Sequence, residues 1–264
     1  MKIYFHKYQG AGNDFVMIDN RLGDYNNINS QIVVFLCNRR FGIGADGLIL
    51  LENSENYAFK MRYFNCDGKE ASMCGNGGRC IANFAANLKV VPFDSIFEFE
   101  AVDGIHQAKV TNSFVSLKMS DVTEIKEFED GYFLDTGSPH FVTLRDNIEK
   151  IDVFNEGKKL RNEARFEKFG GANINFLSIN KNGSLSIRTY ERGVEDETLA
   201  CGTGSVAAAI VAHHLDKKRL EFDINVLGGM LKVRLKEEKT GIFSDIWLEG
   251  EAEFVFEGKT KGDL

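Results

Sequence analysis

Proline is almost missing from this chain, with two in 264 residues, and no Pro-rich or low-complexity stretch interrupts it. That excludes a stiff linker and, with 43% hydrophobic residues and 22 phenylalanines, excludes a disordered chain. An excess of positive charge is also lacking. The net charge of -7 argues against nucleic acid or an anionic membrane as partner, because both need a clustered basic face. No long apolar run exists either: the longest uninterrupted one spans Val206 to Ala212, far short of a membrane span. The beginning, MKIYFHKYQG, has no apolar core of signal-peptide length, so the expectation is a soluble, cytoplasmic protein. The five cysteines are odd in number and never spaced as CxxC, which favours reduced thiols over a disulfide framework. Neither they nor the five histidines have the short spacing of a zinc site, so no metal is expected.

What the chain does have, it has twice. MCGNGGRC at 73 to 80 and ACGTGSVA at 200 to 207 share a Cys-Gly-x-Gly core around Cys74 and Cys201. Four residues before each cysteine stands a glutamate, Glu70 or Glu197, and further back an arginine opens a strand-like run, Arg62 or Arg188. Phe15-Val16 recurs as Phe141-Val142, and the apolar run after Ala45-Asp46 recurs after Ala172-Asn173. A duplication of about half the chain follows. The expected halves are 1–120, carrying Cys74, and 121–264, carrying Cys201, each of ordinary domain size.

Apolar periodicity predicts strands near 3–8, 15–18, 47–51 and 57–64, with a helix near 29–40 between them. A helix at about 76–88 follows the first Cys loop, then strands at 96–101, 105–111 and 114–119. The second half repeats this order. Asp103-Gly104, Asn182-Gly183 and Gly228-Gly229 are hairpin signals. The helix after each cysteine is rich in alanine and apolar on nearly all sides, so it is expected to be buried on all sides. Strands wrapped around a central helix fit this pattern, as does a core helix packed on an open sheet. The fold class is α/β of the α+β kind, in two pseudo-symmetric halves.

A cysteine at the start of a helix lies beside unpaired N–H groups and the positive end of the macrodipole. If that contributes up to ~2 kcal/mol, it brings a thiol from about 8.5 to near neutrality, where it can both take and give a proton. Gly75, Gly77, Gly202 and Gly204 leave room for a ligand to approach those N–H groups, and a carboxylate suits them. Two such termini across one carboxylate would set a thiol on either face of the adjacent carbon. The implied reaction is inversion at an α-carbon. The other cysteines fit simpler roles: Cys37 and Cys80 as small buried hydrophobes in helix-like sequence, and Cys66, in the turn NCDG, with no role.

The blocks GAGNDF at 10–15, FNCDGKEASMCGNGGRC at 64–80, GSPHFV at 137–142, ANINF at 172–176 and YERGVEDETLACGTG at 190–204 closely resemble diaminopimelate epimerase. The match runs in order over nearly the whole chain. The resemblance implies a cofactor-independent homodimeric isomerase that interconverts LL- and meso-diaminopimelate, a small-molecule substrate, for lysine and peptidoglycan precursors. It implies Cys74 and Cys201 as the acid-base pair. Gly75, Asn76, Gly202 and Thr203 would hold the reacting carboxylate, and Asn13, Asn65, Asn173, Glu191 and Arg192 the rest of the substrate. His140 and Glu191 would tune the thiol pKa values. Two positions depart from the pattern: Ser138 stands where Asn is frequent before Pro-His, and Gly47 follows GIGAD where Gln is frequent.

Three other readings share parts of this layout. A proline racemase or hydroxyproline epimerase also uses paired thiols, but typically reads MCGH where this chain reads MCGN. A phenazine-biosynthesis-type protein would keep the fold without both thiols. A redox sensor would need only that the two cysteines approach each other.

Overall fold

The computed structural model describes residues 2–112 and 114–262. Its contacts group the chain into two units: residues up to Leu117 together with those from Gly250 onward, and Lys118–Glu249.

In the first unit, β1 (Tyr4–Gly10) and β2 (Asn13–Asp19) form an antiparallel hairpin. The chain then crosses through α1 (Ser30–Cys37) to β3 (Gly47–Glu52), which lies parallel to β2. β4 (Lys60–Asn65) returns antiparallel and pairs with the short β5 (Glu70–Ala71). Next come α2 (Gly75–Asn87), β6 (Ile96–Ala101), β7 (Gly104–Thr111) and β8 (Phe114–Lys118), a meander whose first strand lies parallel to β4. The C-terminal strand, Glu253–Lys259, pairs with β1, which is why the final residues group with this unit.

The second unit opens with β9 (Lys126–Phe128), β10 (Gly131–Asp135) and β11 (Pro139–Leu144). It crosses through α3 (Val153–Arg161) to a parallel β12 (Asn173–Ile179), then β13 (Leu185–Glu191) and β14 (Asp196–Thr198). α4 (Gly202–Asp216) leads to β15 (Glu221–Val226), parallel to β13, and on to β16 (Gly229–Lys239) and β17 (Ile242–Glu251). Parallel pairs and crossovers fall at the same steps in both units, as duplication requires.

Each unit wraps its strands around one helix. α4 is buried along Val206–Ala212, and its alanines let the backbones of β10 to β13, β15 and β16 come close. Burying Val206, Ile210 and Val211 contributes roughly 1.5–3 kcal/mol each. α2 is enclosed in the same way by β1, β2, β3, β7 and the C-terminal strand.

Two sequence expectations change. The helix expected over 29–40 ends at Cys37, because the Asn38 side chain accepts from the N–H groups of Arg40 and Phe41 and draws the backbone out of the helix. The self-match of Phe15-Val16 with Phe141-Val142 is one residue out of structural register. Phe141 packs with Phe133, Phe166, Ile174 and Phe176 on the α3 side of its sheet. In the first unit the corresponding cluster, against Val33 and Leu36 of α1, holds Val16 rather than Phe15. Side chains alternate across a strand, so a slip of one residue exchanges the faces.

Candidate active site

Both cysteines are helix N-caps. Cys74 precedes α2 with extended backbone (φ -99°, ψ 149°), and its Sγ accepts from the N–H of Gly77 at 3.2 Å, the bond a Ser or Asp oxygen ordinarily makes. Cys201 holds the same position before α4, and its Sγ lies 3.5 Å from Thr203 Oγ1. The third residue of each helix is a glycine set close against the cap sulfur. A Cβ on Gly77 would stand 3.2 Å from the Cys74 sulfur, and one on Gly204 would stand 3.2 Å from the Cys201 sulfur. Gly75 and Gly202 open the helices, so their N–H groups are among those without an intrahelical partner.

The duplicated Arg and Glu prove to be ion pairs that clamp the hairpin before each cysteine. Arg188 binds Glu197 through two bonds of 2.6 Å and also donates to the carbonyls of Ile148 and Ile151. Arg62 meets Glu70 more loosely, at 3.4 Å.

Around Cys74, the Asn76 amide is buried and donates to Asn13 Oδ1 at 3.3 Å. Asn13 in turn donates to Asp46 at 2.6 Å, so its amide joins α2 to the loop before β3. Behind it, Asp14 sits between Lys7 and Arg39, both at 2.7 Å. Burial raises the Asp14 pKa, but the Arg39 and Lys7 hydrogen bonds win and hold it down at about 2. Asn65 is exposed at the end of β4 and accepts from Tyr63 at 2.7 Å. Tyr63 also accounts for the departure at Gly47: a Cβ there would stand 2.5 Å from the Tyr63 ring. The aromatic ring occupies the space a side chain at 47 would need.

Around Cys201 the surroundings are polar. His140 is wholly buried, and its Nδ1 lies 3.0 Å from Asn175 Nδ2, which fixes Nδ1 as acceptor and leaves the proton on Nε2. Desolvation pulls its pKa down to about 3, so the ring is neutral at neutral pH. Asn175 Oδ1 accepts from Thr189. Asn173 donates to Ser138 Oγ at 2.9 Å and to the Pro139 carbonyl at 3.0 Å, and accepts from the Arg192 N–H at 2.9 Å. Ser138, without a role in the sequence reading, is thus one end of that clamp. Arg192 donates one guanidinium N–H to the Phe169 carbonyl. Burial pushes the Glu191 carboxyl up against an opposing bond from Thr198. Thr136 donates to the Thr203 carbonyl and braces the first turn of α4.

Asn175, Thr136, Tyr63 and Arg79 escaped the sequence reading. The alternation Asn173-Ile174-Asn175 was the available signal, since it sets both amides on one strand face. Burial pushes the Cys37 thiol up to about 12 and raises that of Cys80, in keeping with inert core cysteines, and Cys66 is exposed. Among the described residues no three His, Cys, Asp or Glu side chains gather as a metal site, and no helix is long and apolar enough to cross a membrane. A polar cavity of about 410 Å³ in the second unit, lined by residues such as Arg161, Glu163 and Glu167, includes none of the expected site residues.

The fold recurs in solved structures. A phenazine biosynthesis protein of the PhzF family from Bacillus anthracis superposes with a TM-score of 0.77 at 14% identity, over 98% of this chain and 99% of that one. A hydroxyproline epimerase from Agrobacterium vitis gives 0.68 at 12% identity, over 98% and 92%. At such identities the likeness speaks for the fold alone. Sequence relatives are far nearer. A diaminopimelate epimerase of Flavobacterium psychrophilum is 49% identical over 97% of this chain and 99% of its own length. One of Chlorobaculum tepidum is 43% identical over 94% and 98%. The sequence profile of diaminopimelate epimerase matches residues 5–123 and 132–255, so the chain belongs to the diaminopimelate epimerase family.

Proposed function

We propose that this protein interconverts LL- and meso-diaminopimelate by removing a proton from one face of the α-carbon and delivering another to the opposite face, with Cys74 and Cys201 as the acid-base pair. The observation that carries this reading is the placement of both cysteines as N-caps of the two enclosed helices. A carboxylate at such a terminus meets the helix N–H groups, and charge developing on it as the α-proton leaves is stabilised there. Gly75 and Asn76 on one helix, and Gly202 and Thr203 on the other, are the groups in reach of that carboxylate. The distal amino-acid head falls to Arg192, whose planar fork suits a carboxylate, and to Glu191, Asn65 and Asn13. Asn173 serves by holding the Arg192 backbone. His140 and Glu191 shape the field at the thiols as a neutral dipole and as a carboxyl with raised pKa. The reaction requires neither pyridoxal phosphate nor metal.

We further propose a homodimer in the cytoplasm. The C-terminal strand supports the dimer, since it exposes Phe254, Val255 and Phe256 in one row of sequence.

The test is incubation of reduced protein with LL-diaminopimelate in heavy water, followed by NMR. Loss of the α-proton signal with appearance of the meso form is expected. Absence of exchange, or faster exchange with proline, would reject the assignment in favour of a racemase of the proline type.

A further inference from the structure

Arg79 has no exposed surface. It is the one charged residue of α2, five positions after Cys74 in a helix otherwise made of small, apolar and amide side chains. Its guanidinium turns back toward the helix start, as long helical side chains do. Nη2 donates to Asn76 Oδ1 at 2.9 Å and Nη1 to the Gly75 carbonyl at 3.3 Å, while Nε has no partner among the described residues. All the acceptors it has are neutral. No carboxylate of the described residues pairs with it. Removing a guanidinium from water costs several kcal/mol, and neutral acceptors offset only part of that.

The charged and titratable groups nearby narrow the choice of counter-charge. Tyr63 on β4 and Cys80 on α2 are pushed up by burial and stay neutral, and Asp14 at the start of β2 is taken by Lys7 and Arg39. Desolvation lowers the pKa of Arg79, and the thiols of Cys80 and Cys74 act in the opposite direction. Of these two sulfurs, Cys74 is the partly exposed one and receives a backbone N–H. In α4 the corresponding position, 127 residues on, is the apolar Val206.

We propose that Arg79 is a positioning residue for the first cysteine: its buried charge holds Cys74 in the thiolate form, and its fork aims the Asn76 amide toward Asn13. This rests on Cys74 acting as an acid-base thiol. An anion one helical turn from a fixed, poorly solvated cation is favoured over its neutral form, and Asn76, with its oxygen taken by Arg79, is left to present its N–H₂.

The experiment is alkylation of the reduced protein by iodoacetamide across pH, without substrate, reading Cys74, Cys201 and Cys66 separately by mass spectrometry. In Arg79→Met the Cys74 midpoint is expected at least about one pH unit higher, so that below it Cys74 reacts about tenfold more slowly, with Cys201 unmoved. In Arg79→Lys, which keeps the charge and loses the fork, the Cys74 midpoint stays and KM rises. An unchanged Cys74 midpoint in Arg79→Met, or Cys74 and Cys201 moving together, would overturn the proposal. Should Arg79→Met not fold, Arg79→Lys decides: a midpoint raised by as much as one unit refutes a role for the charge, and a steady one supports it. The alkylation needs no turnover, so a parent protein inactive on diaminopimelate would reject the proposed function and leave the Arg79 result readable.

Discussion

The starts of α2 and α4 share a cap, a pair of glycines and a clamped hairpin, yet the polar groups that serve each sulfur come from different elements. Beneath Gly77 lie Ile49 and Met61, apolar side chains of β3 and β4. The helix itself supplies Asn76 and Arg79, and Asn76 extends the network to Asn13 and Asp46. Beneath Gly204 lies the amide of Asn175, part of a buried network with His140 and Thr189 on three strands, while the helix contributes Val206 where α2 has Arg79. One terminus has a charged helix on an apolar floor. The other has an apolar helix on a polar, uncharged floor. Duplication thus preserved the backbone device, a cysteine cap with close-packed glycines, and let the electrostatics be rebuilt separately. On the proposed two-thiol reaction, each terminus would tune its own sulfur by its own route.

The largest effect should come from removing what the two termini share. Cys74→Ala and Cys201→Ala are each expected to abolish epimerisation with the circular dichroism of the parent retained. Substantial turnover by either variant would break the equivalence of the caps.

The next effect separates the floors. Gly204→Ala puts a methyl 2.4 Å from Asn175 Oδ1, an atom held by Thr189, whereas Gly77→Ala meets the free end of Ile49 at 3.1 Å. Overpacking against a pinned amide should cost about 2–3 kcal/mol, and against a flexible methyl about 1 kcal/mol, in urea unfolding. Equal costs would mean that the two floors yield alike.

The clamps should differ by less. Arg188, bidentate to Glu197 with two backbone carbonyls besides, is expected to lose about 2 kcal/mol on change to Ala, against under about 1 kcal/mol for Arg62→Ala. Unfolding midpoints of the two variants measure this.

The smallest effect is one of pH. His140 is neutral in the folded protein down to about 3, while unfolded it binds a proton below its ordinary value of 6.5. Stability is therefore complete above 6.5 and is lost as pH falls from there toward 3. Between pH 7 and 6 the loss is under about 1 kcal/mol. His140→Gln should flatten that slope relative to the parent, and a parallel slope would mean that His140 titrates normally.

The sequence made the caps legible because Cys-Gly-x-Gly is a local pattern repeated, and it made the crossovers legible because apolar periodicity marks each strand and helix. It marked Arg62, Glu70, Arg188 and Glu197 as repeated without revealing that they pair, since pairing follows from hairpin register. The surroundings of the sulfurs were harder to see. Asn175 lies among apolar residues in β12, and its partners His140 and Thr189 come from neighbouring strands brought together only by the fold. Arg79 left a trace, a lone charge inside an apolar helix. The Phe15-Val16 match misled because identity of letters outweighed alternation of faces.

If each cysteine serves one face of a single carbon, the earliest turnovers in heavy water show it most directly. With two thiols, the inverted product takes its new hydrogen from the thiol that has exchanged with solvent, while unreacted substrate returns its own proton from the other. Product isolated at low conversion should therefore carry deuterium at the inverted carbon and the remaining LL-diaminopimelate almost none. Deuterium entering recovered substrate as fast as product would contradict the claim and point to a single base that reaches both faces.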